Sequence, residues 1–97
     1  MKRLRKKFKS RGFEHEEVVR EGRNAIYKRW DGGKTPDAGH IHYEVVKIGK
    51  HNGYNLGGSY IEPAETYPST SMWGVAGWTC SNITAAQARF NDLNKYE

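Results

Sequence analysis

The chain has 97 residues, of which 36% are apolar and 12% aromatic, which suits one small domain with a single modest core and excludes a disordered chain. Its single cysteine, Cys80, excludes an internal disulfide framework and favours a reducing compartment. The net charge is +5, no apolar run is long enough to span a bilayer, and the basic start lacks the apolar stretch of a signal peptide, so we expect a cytoplasmic protein.

The positive charge is concentrated at the start of the chain. The sequence MKRLRKKFKSR holds seven of the sixteen Lys and Arg residues and no acidic residue. Residues 12–97 hold the other nine cations and eleven acidic residues, so the rest of the chain is nearly neutral. Mimicry of DNA needs a densely acidic face and is therefore excluded. We therefore divide the chain into a basic N-terminal arm, residues 1–12, and a single small α+β domain, residues 13–97. Leu4 and Phe8 are too few apolar anchors to hold the arm as a helix in water.

Two strands are predicted after the arm. FEHEEVVRE (13–21) and NAIYKRW (24–30) are rich in β-branched and aromatic residues. Gly22 and Asn24 supply the turn between them, so the pair is expected to form a hairpin. DGGKTPDAG (31–39) has the composition of a surface loop.

The middle of the chain predicts a central strand. HIHYEVVKIGK (40–50) has apolar residues at both alternating sets of positions, as a strand covered on both faces does. Asn52-Gly53 is the most favoured hairpin turn, so YNLGGSYIE (54–62) is expected to return beside this strand. Gly57-Gly58 would then weaken the pairing or mark a bulge. VAGWTC (75–80) predicts a short last strand.

One helix is predicted, in TAAQARFNDLNK (84–95). Thr84 and Gln87 have the spacing of a capping box. Ala86, Phe90 and Leu93 form one apolar stripe that suits packing on a sheet. The predicted fold class is α+β, an antiparallel sheet of four to five strands with one C-terminal helix packed on one face. The other face would be solvated or available to a partner.

Two of the three tryptophans, Trp78 and Trp30, are predicted to differ in burial. Trp78 lies in a predicted strand next to the helix, and we expect it in the core. Trp30 follows Lys28 and Arg29, which favours a partly exposed edge. Aromatic rings beside cations at such an edge suit stacking with unpaired bases.

Several segments of the chain together resemble a known group of proteins. A strand of the type HYEVVKI is followed by LGGSYIEPAETYPS, then by WGVAGWTC and a helix of the type AQARFNDL. Over about residues 16–94 this succession resembles small uncharacterised proteins encoded by tailed bacteriophages. The resemblance implies an accessory protein that acts in the host cytoplasm. Its motifs are structural, so it carries no site onto this chain.

The arm indicates nucleic-acid binding without enzymatic activity. Lys and Arg neutralise phosphates, and no helix-turn-helix, zinc-finger or RNP signature is present to read bases. Binding to nucleic acid or to a host nucleoprotein would therefore be non-specific and directed at phosphates. Other readings of the arm are a solubilising tail, residues that join the first strand, and a contact with an anionic membrane, which we do not favour. The predicted contacts are Lys2, Arg3, Arg5, Lys6, Lys7, Lys9, Arg11, Lys28, Arg29 and Trp30.

The alternative hypothesis is a phage inhibitor or adaptor that binds a host protein, for example a defence nuclease or a transcription enzyme. The open sheet face and the loop 63–74 would carry this contact. Trp and Tyr anchor protein interfaces, and the predicted contacts are Tyr67 and Trp73 together with the neighbouring Met72. An exposed edge strand would also allow two copies to pair as a homodimer.

Neither a metal site nor a catalytic site is predicted. His40 and His42 project to the same face of a strand, as two ligands of one metal ion do, but no third ligand stands at a recognisable spacing. Cys80 lacks the signature of a thiolate nucleophile. The carboxylates between residues 14 and 17 are expected to pair with cations of the arm. We therefore expect no cofactor and no enzymatic activity.

Overall fold

The computed structural model describes residues 1–31 and 41–95. The elements of this part of the chain are β1 (Lys7–Ser10), β2 (Phe13–Glu21), β3 (Asn24–Asp31), β4 (His42–Lys47), β5 (Gly49–His51), β6 (Tyr54–Leu56), β7 (Ser59–Ile61), β8 (Ala64–Thr66), a 3₁₀ turn (Thr70–Met72), β9 (Gly77–Cys80) and α1 (Ile83–Lys95).

Five of these strands form an antiparallel sheet in the order β1-β2-β3-β4-β9, and the helix α1 packs against β3, β4 and β9. The predicted α+β class, with one C-terminal helix on an antiparallel sheet, is confirmed.

Tight turns join the first three strands. Between β1 and β2, Arg11 and Gly12 both have positive φ, 56° and 81°, which is the pattern of a two-residue type I′ turn. Between β2 and β3, Gly22 has a φ of 62°. β2 and β3 pair from Phe13 opposite Asp31 onward, so the predicted hairpin is confirmed.

The basic segment at the start of the chain is part of the folded sheet. Residues 7–10 form its edge strand β1, which differs from the separate arm expected for residues 1–12. Ahead of β1, the backbone of Lys2 donates to the carbonyl of Pro63 (3.0 Å) and accepts from the N–H of Glu65 (2.8 Å). The hydroxyl of the buried Tyr27 donates to the carbonyl of Arg5 (2.9 Å). The backbone that carries the seven cations is therefore fixed along its length.

The middle of the chain differs from its predicted pairing. The strand predicted over 40–50 ends at Lys47, and both of its edges are taken by β3 and β9. Residues 54–62 therefore cannot pair with it, and β6 and β7 pair with each other instead. The turn between β6 and β7 is Gly57-Gly58, with φ of 55° and 84°, so the prediction that Asn52-Gly53 turns the chain back beside β4 is wrong.

The helix α1 covers one face of the sheet. Ala86 and Phe90 are buried against Ile26 and Val45, and Leu93 packs at the edge of this cluster, so the predicted apolar stripe is confirmed. The helix begins one residue earlier than predicted, and Asn82 rather than Thr84 caps it. Its Oδ1 accepts from the N–H of Ala85 at 2.8 Å. In residues 1–31 and 41–95 no helix is long and apolar enough to cross a membrane.

The other face of the sheet is also covered. Tyr27 and Val46 are buried there, and Leu4, Phe8, Tyr67 and Trp73 pack over the cluster. The expectation that the whole of this face is solvated or open to a partner is therefore wrong, because the chain itself covers the apolar cluster. The physical reason is that the N-terminal segment and the segment after β8 supply the apolar side chains that a solvated face would lack.

One ion pair joins the N-terminal segment, β2 and β8. The guanidinium of Arg20 makes two bonds to the carboxylate of Glu65, at 2.8 and 2.6 Å, and Glu65 also accepts from the N–H of Leu4 at 2.9 Å. The two charged side chains are only 7% and 12% exposed. The hydrogen bonds from Arg20 are the largest cause that lowers the pKa of Glu65 to about 2.

This pair is expected to make stability depend on pH in the acid range. Because the pKa of Glu65 is about 2 in the folded chain and 4.5 ordinarily, its contribution is complete above pH 4.5 and is lost as the pH falls through 2. After solvent screening we expect a loss of about 1–2 kcal/mol. Urea unfolding between pH 7 and pH 2 should show this loss, and Glu65→Gln should remove it. The control is Glu62→Gln, an exposed carboxylate nearby, and equal pH profiles for the two variants would contradict the prediction.

Candidate functional site

A pocket of about 610 Å³ lies on the face of the sheet opposite α1. The β1–β2 turn and strands β2, β3 and β4 form its floor and one side, and the segment that follows β8 forms the other side. Within residues 1–31 and 41–95 its lining combines aromatic rings with two arginines, one carboxylate and several hydroxyls. The lining includes Phe8, Arg11, Phe13, His15, Arg29, Glu44, Tyr67, Trp73 and Thr79.

Glu44 lies at the bottom of the pocket and is only 4% exposed. Its Oε1 accepts from the hydroxyl of Tyr67 at 2.5 Å and lies 3.4 Å from Nε2 of His15. Its Oε2 accepts from Nη1 of Arg29 at 3.1 Å. Both carboxylate oxygens are therefore occupied, and the network holds its members in place rather than offering a free base.

The charge state of this network follows from these contacts. Burial raises the pKa of Glu44, but the hydrogen bonds from His15 and Tyr67 and the charge of Arg29 outweigh it, so the pKa is lowered below its usual value. Burial, followed by the charge of Glu44, raises the pKa of Tyr67 far above its usual value. At neutral pH Glu44 is therefore ionised and Tyr67 is a neutral donor.

His15 is held from several sides. Its ring stacks on that of Phe8, with the ring centroids 4.7 Å apart and the planes 6° from parallel. The centroid of the Tyr67 ring lies 5.4 Å away, with its plane at 72° to that of the imidazole. Its Nδ1 lies 3.2 Å from the carbonyl oxygen of Phe13. Packing Phe8 of the edge strand onto the strand next to it thus fixes the imidazole that faces Glu44.

Arg29 combines a fixed position with an unused donor. Its guanidinium lies over the ring of Phe13, 4.6 Å from the centroid, while Nη1 bonds to Glu44. The Nε–H of the same side chain is buried and has no hydrogen-bond partner among the residues the structure describes. A buried donor without a partner costs free energy, so this N–H is a local cost of the network. The side chain as a whole is 23% exposed and lines the pocket.

Trp73 forms the wall opposite the sheet. Its Nε1–H donates to Oγ1 of Thr79 at 2.9 Å. The six-membered ring lies against Gly77, where a Cβ would stand 2.5 Å from Cζ3 of the ring. Because Gly77 has no side chain, the Trp73 ring can lie this close to β9, and its position depends on that glycine.

The basic side chains of residues 2–11 lie beside the pocket, along the edge of the sheet that β1 forms. All seven cations between residues 2 and 11 are exposed. Lys7 stands opposite Glu16 and Lys9 opposite Glu14 in the β1–β2 register, so each has a carboxylate as its cross-strand neighbour. The ion pair that Glu16 makes is with Lys28 of β3, so the predicted pairing of these carboxylates with the N-terminal cations stays a prediction. Arg11 occupies the turn and lines the pocket.

The other predicted nucleic-acid contacts are split between the two faces of β3. Arg29 lines the pocket, whereas Lys28 pairs with Glu16 at 3.3 Å and lies over the ring of Trp30. Trp30 is only 7% exposed, so the prediction that its ring is partly exposed is wrong. The ring is therefore not free to stack on a base. Trp78, expected in the core, is half-buried under the guanidinium of Arg89.

The three residues of the alternative protein-binding prediction do not form one exposed patch. Tyr67 and Trp73 line the pocket and pack on the sheet, and only Met72 is exposed, by 41%. Three more exposed apolar or aromatic side chains lie together on the β6–β7 hairpin, Tyr54 (47%), Leu56 (62%) and Tyr60 (60%), while Met1, Val18 and Val75 are exposed singly elsewhere.

His42, from the predicted histidine pair, is exposed, and His40 lies outside the described residues. Within residues 1–31 and 41–95, no three His, Cys, Asp or Glu side chains are placed to hold a metal ion. Cys80 is half-buried at the end of β9.

Sequence reasoning missed His15, Glu44 and Phe13. One signal was available for Glu44, which interrupts the most apolar strand of the chain and therefore requires buried partners. Nothing in the sequence identified those partners, because they come from β2, β3 and the segment after β8. Searches of protein-family models, curated proteins and solved structures find no match to this chain.

Proposed function

We propose that this protein is a non-enzymatic, phage-type accessory protein that binds nucleic acid through its basic edge, defined as residues 2–11. The observation that carries the proposal is that the seven cations of this edge are exposed on a backbone that is hydrogen-bonded to both neighbouring segments. A fixed array of cations avoids the entropy that a flexible tail loses when it binds phosphates.

The cations of the basic edge do not all contribute equally to this proposal. Lys7 and Lys9 face Glu16 and Glu14, and Lys28 is paired with Glu16, so these three attract phosphates less strongly. The strongest phosphate contacts are expected from Lys2, Arg3, Arg5, Lys6 and Arg11. Backbone phosphates are the target, because none of these side chains belongs to a base-reading module.

The test compares two full-length variants that each remove four positive charges. The first changes Lys2, Arg3, Arg5 and Lys6 to Gln, and the control changes the exposed Arg23, Lys47, Lys50 and Lys95 to Gln. Binding of fluorescein-labelled single-stranded and duplex DNA and RNA is measured by anisotropy across a salt series. Each phosphate contact that is removed should lower the slope of log K against log salt by about 1.

The expected result is a slope reduced by about 3–4 in the first variant and little changed in the control. Equal slopes in the two variants would show that binding depends only on net charge, and no binding of the unmodified protein at low salt would reject the proposal.

A second candidate function is suggested by the exposed β6–β7 hairpin. Tyr54, Leu56 and Tyr60 are apolar or aromatic and 47–62% exposed, which suits anchors of an interface with a host protein. In this case Leu56→Ser with Tyr60→Ser should abolish capture of a specific bacterial protein that the four-Gln variant of the basic edge still captures. The opposite pattern would favour nucleic acid.

A further inference from the structure

We infer that the pocket opposite α1 takes one unstacked base of a single-stranded nucleic acid, with an adjoining phosphate at its arginines. The inference rests on the proposed function and adds to it a preference for single strands over duplexes. It follows from the size of the pocket, from its lining and from its position at the end of the basic edge.

The pocket has the dimensions and the rings that such a ligand requires. Its volume of about 610 Å³ falls within the roughly 300–1,000 Å³ typical of small-molecule sites. Phe8, Phe13 and Trp73 contribute half-buried rings to its lining. Base–aromatic stacking tolerates any base, since every base has a π-face, and therefore suits a protein without a base-reading module.

The arginines make the pocket suitable for an anion. Arg11 and Arg29 both line it, and Glu44, the one carboxylate among the described lining residues, already accepts from Arg29 and Tyr67. The described part of the lining thus has a net positive charge. The side chain of Arg29 is 23% exposed, and charge-assisted hydrogen bonds from a guanidinium to phosphate oxygens are among the strong ones.

The pocket continues the basic edge. Phe8 and Arg11 belong both to the lining and to the segment that carries the cations. A strand that follows these cations would reach the pocket at the β1–β2 turn. Cations along a track and aromatic rings beside it are the combination by which proteins bind single strands. A base held in a duplex is paired and stacked, and it cannot enter such a pocket without being extruded.

The test uses variants that separate the pocket from the charge of the edge. Arg11→Asn removes one pocket cation, and Asn tolerates the positive φ of this turn. Lys9→Asn is the matched control, because it removes the same charge two residues away, from a side chain on the opposite face of β1 from Phe8. Phe13→Leu keeps an apolar side chain but removes a ring from the lining.

The probes are labelled dT12 and rU12 single strands and 12-base-pair duplexes of DNA and RNA, measured by anisotropy with the full-length protein. We expect at least one single strand to bind about tenfold more tightly than its duplex. Phe13→Leu and Arg11→Asn should each weaken single-strand binding about tenfold, and Lys9→Asn about twofold. On duplexes Arg11→Asn should also cost more than Lys9→Asn, because Glu14 offsets the charge of Lys9, but the ratio of the two effects should be clearly larger on single strands than on duplexes.

Each other outcome has one meaning. Equal affinity for single strands and duplexes, with the same ratio of the Arg11→Asn and Lys9→Asn effects on both kinds of probe, would overturn the pocket inference and leave the proposed function standing. Absence of binding to all four probes at low salt would overturn both. Thermal unfolding checks that each variant folds, and if Phe13→Leu does not fold, the exposed Arg11→Asn still decides the question.

Discussion

Replacement of Glu44 with leucine is expected to destabilise the protein by about 3–5 kcal/mol. The carboxylate is 4% exposed and is the shared partner of Arg29, His15 and Tyr67. Its loss leaves a guanidinium and a hydroxyl without an acceptor in a largely buried site. For a chain of this size the melting temperature should fall by at least 12 °C. Thermal and urea unfolding at pH 7 measure the effect.

Two further variants establish whether the lost partner is the cause. Glu16→Leu removes a carboxylate whose side chain is 43% exposed and which pairs with Lys28 on the adjacent strand, so it should cost less than about 1 kcal/mol. Arg29→Leu combined with Glu44→Leu removes both charges and should recover part of the loss, because no buried cation then lacks its partner. If Glu44→Leu and Glu16→Leu cost the same, the buried network does not stabilise the fold.

The sequence predicted the elements whose side chains alternate or repeat regularly. β2 and β3 were identified by β-branched and aromatic residues between turn residues, and α1 by the stripe of Ala86, Phe90 and Leu93. β4 was identified as central, because Val45 and Val46 each had to enter a different apolar cluster, and they do. These features are local, so a single sequence is enough to show them.

The pairing partners were not local and were not predicted. Asn52-Gly53 favours a hairpin turn, but β3 and β9 occupy both edges of β4, and the chain turns at Gly57-Gly58 instead. The pocket depends on the same long-range choices. Glu44 meets Tyr67 only because the segment after β8 crosses the sheet, and the sequence gives no pattern for that crossing.

The N-terminal segment also depends on contacts far along the chain. Leu4 and Phe8 are too few apolar residues to hold a helix in water, but they can still serve in a strand, which is one of the alternatives the sequence leaves open. In the structure both side chains pack on the cluster around Tyr27, and the ring of Phe8 also contacts that of Tyr67, far along the chain. An edge strand of alternating cations and apolar residues looks like a charged tail until its partner strand is known.

Deletion of residues 1–11 is therefore expected to destabilise the fold by about 4 kcal/mol or more, and not simply to remove charge. The deletion exposes the edge of β2 and removes Leu4 and Phe8 from the core. It also removes the carbonyl of Arg5, to which the buried hydroxyl of Tyr27 donates, and the N–H of Leu4, which donates to Glu65. Small domains have only about 5–15 kcal/mol in total, so the truncated chain should unfold at much lower urea.

The matched control is the full-length variant with Gln at positions 2, 3, 5 and 6, which loses charge but keeps every backbone contact of the segment. We expect its urea midpoint to stay near that of the unmodified protein, because the four replaced side chains are exposed. Loss of nucleic-acid binding in the truncated chain alone would then reflect unfolding. Loss in the four-Gln variant would reflect missing phosphate contacts. If the truncated chain instead unfolds at the same urea concentration as the full chain, β1 and Phe8 contribute nothing to stability and residues 1–11 act as a detachable basic tail.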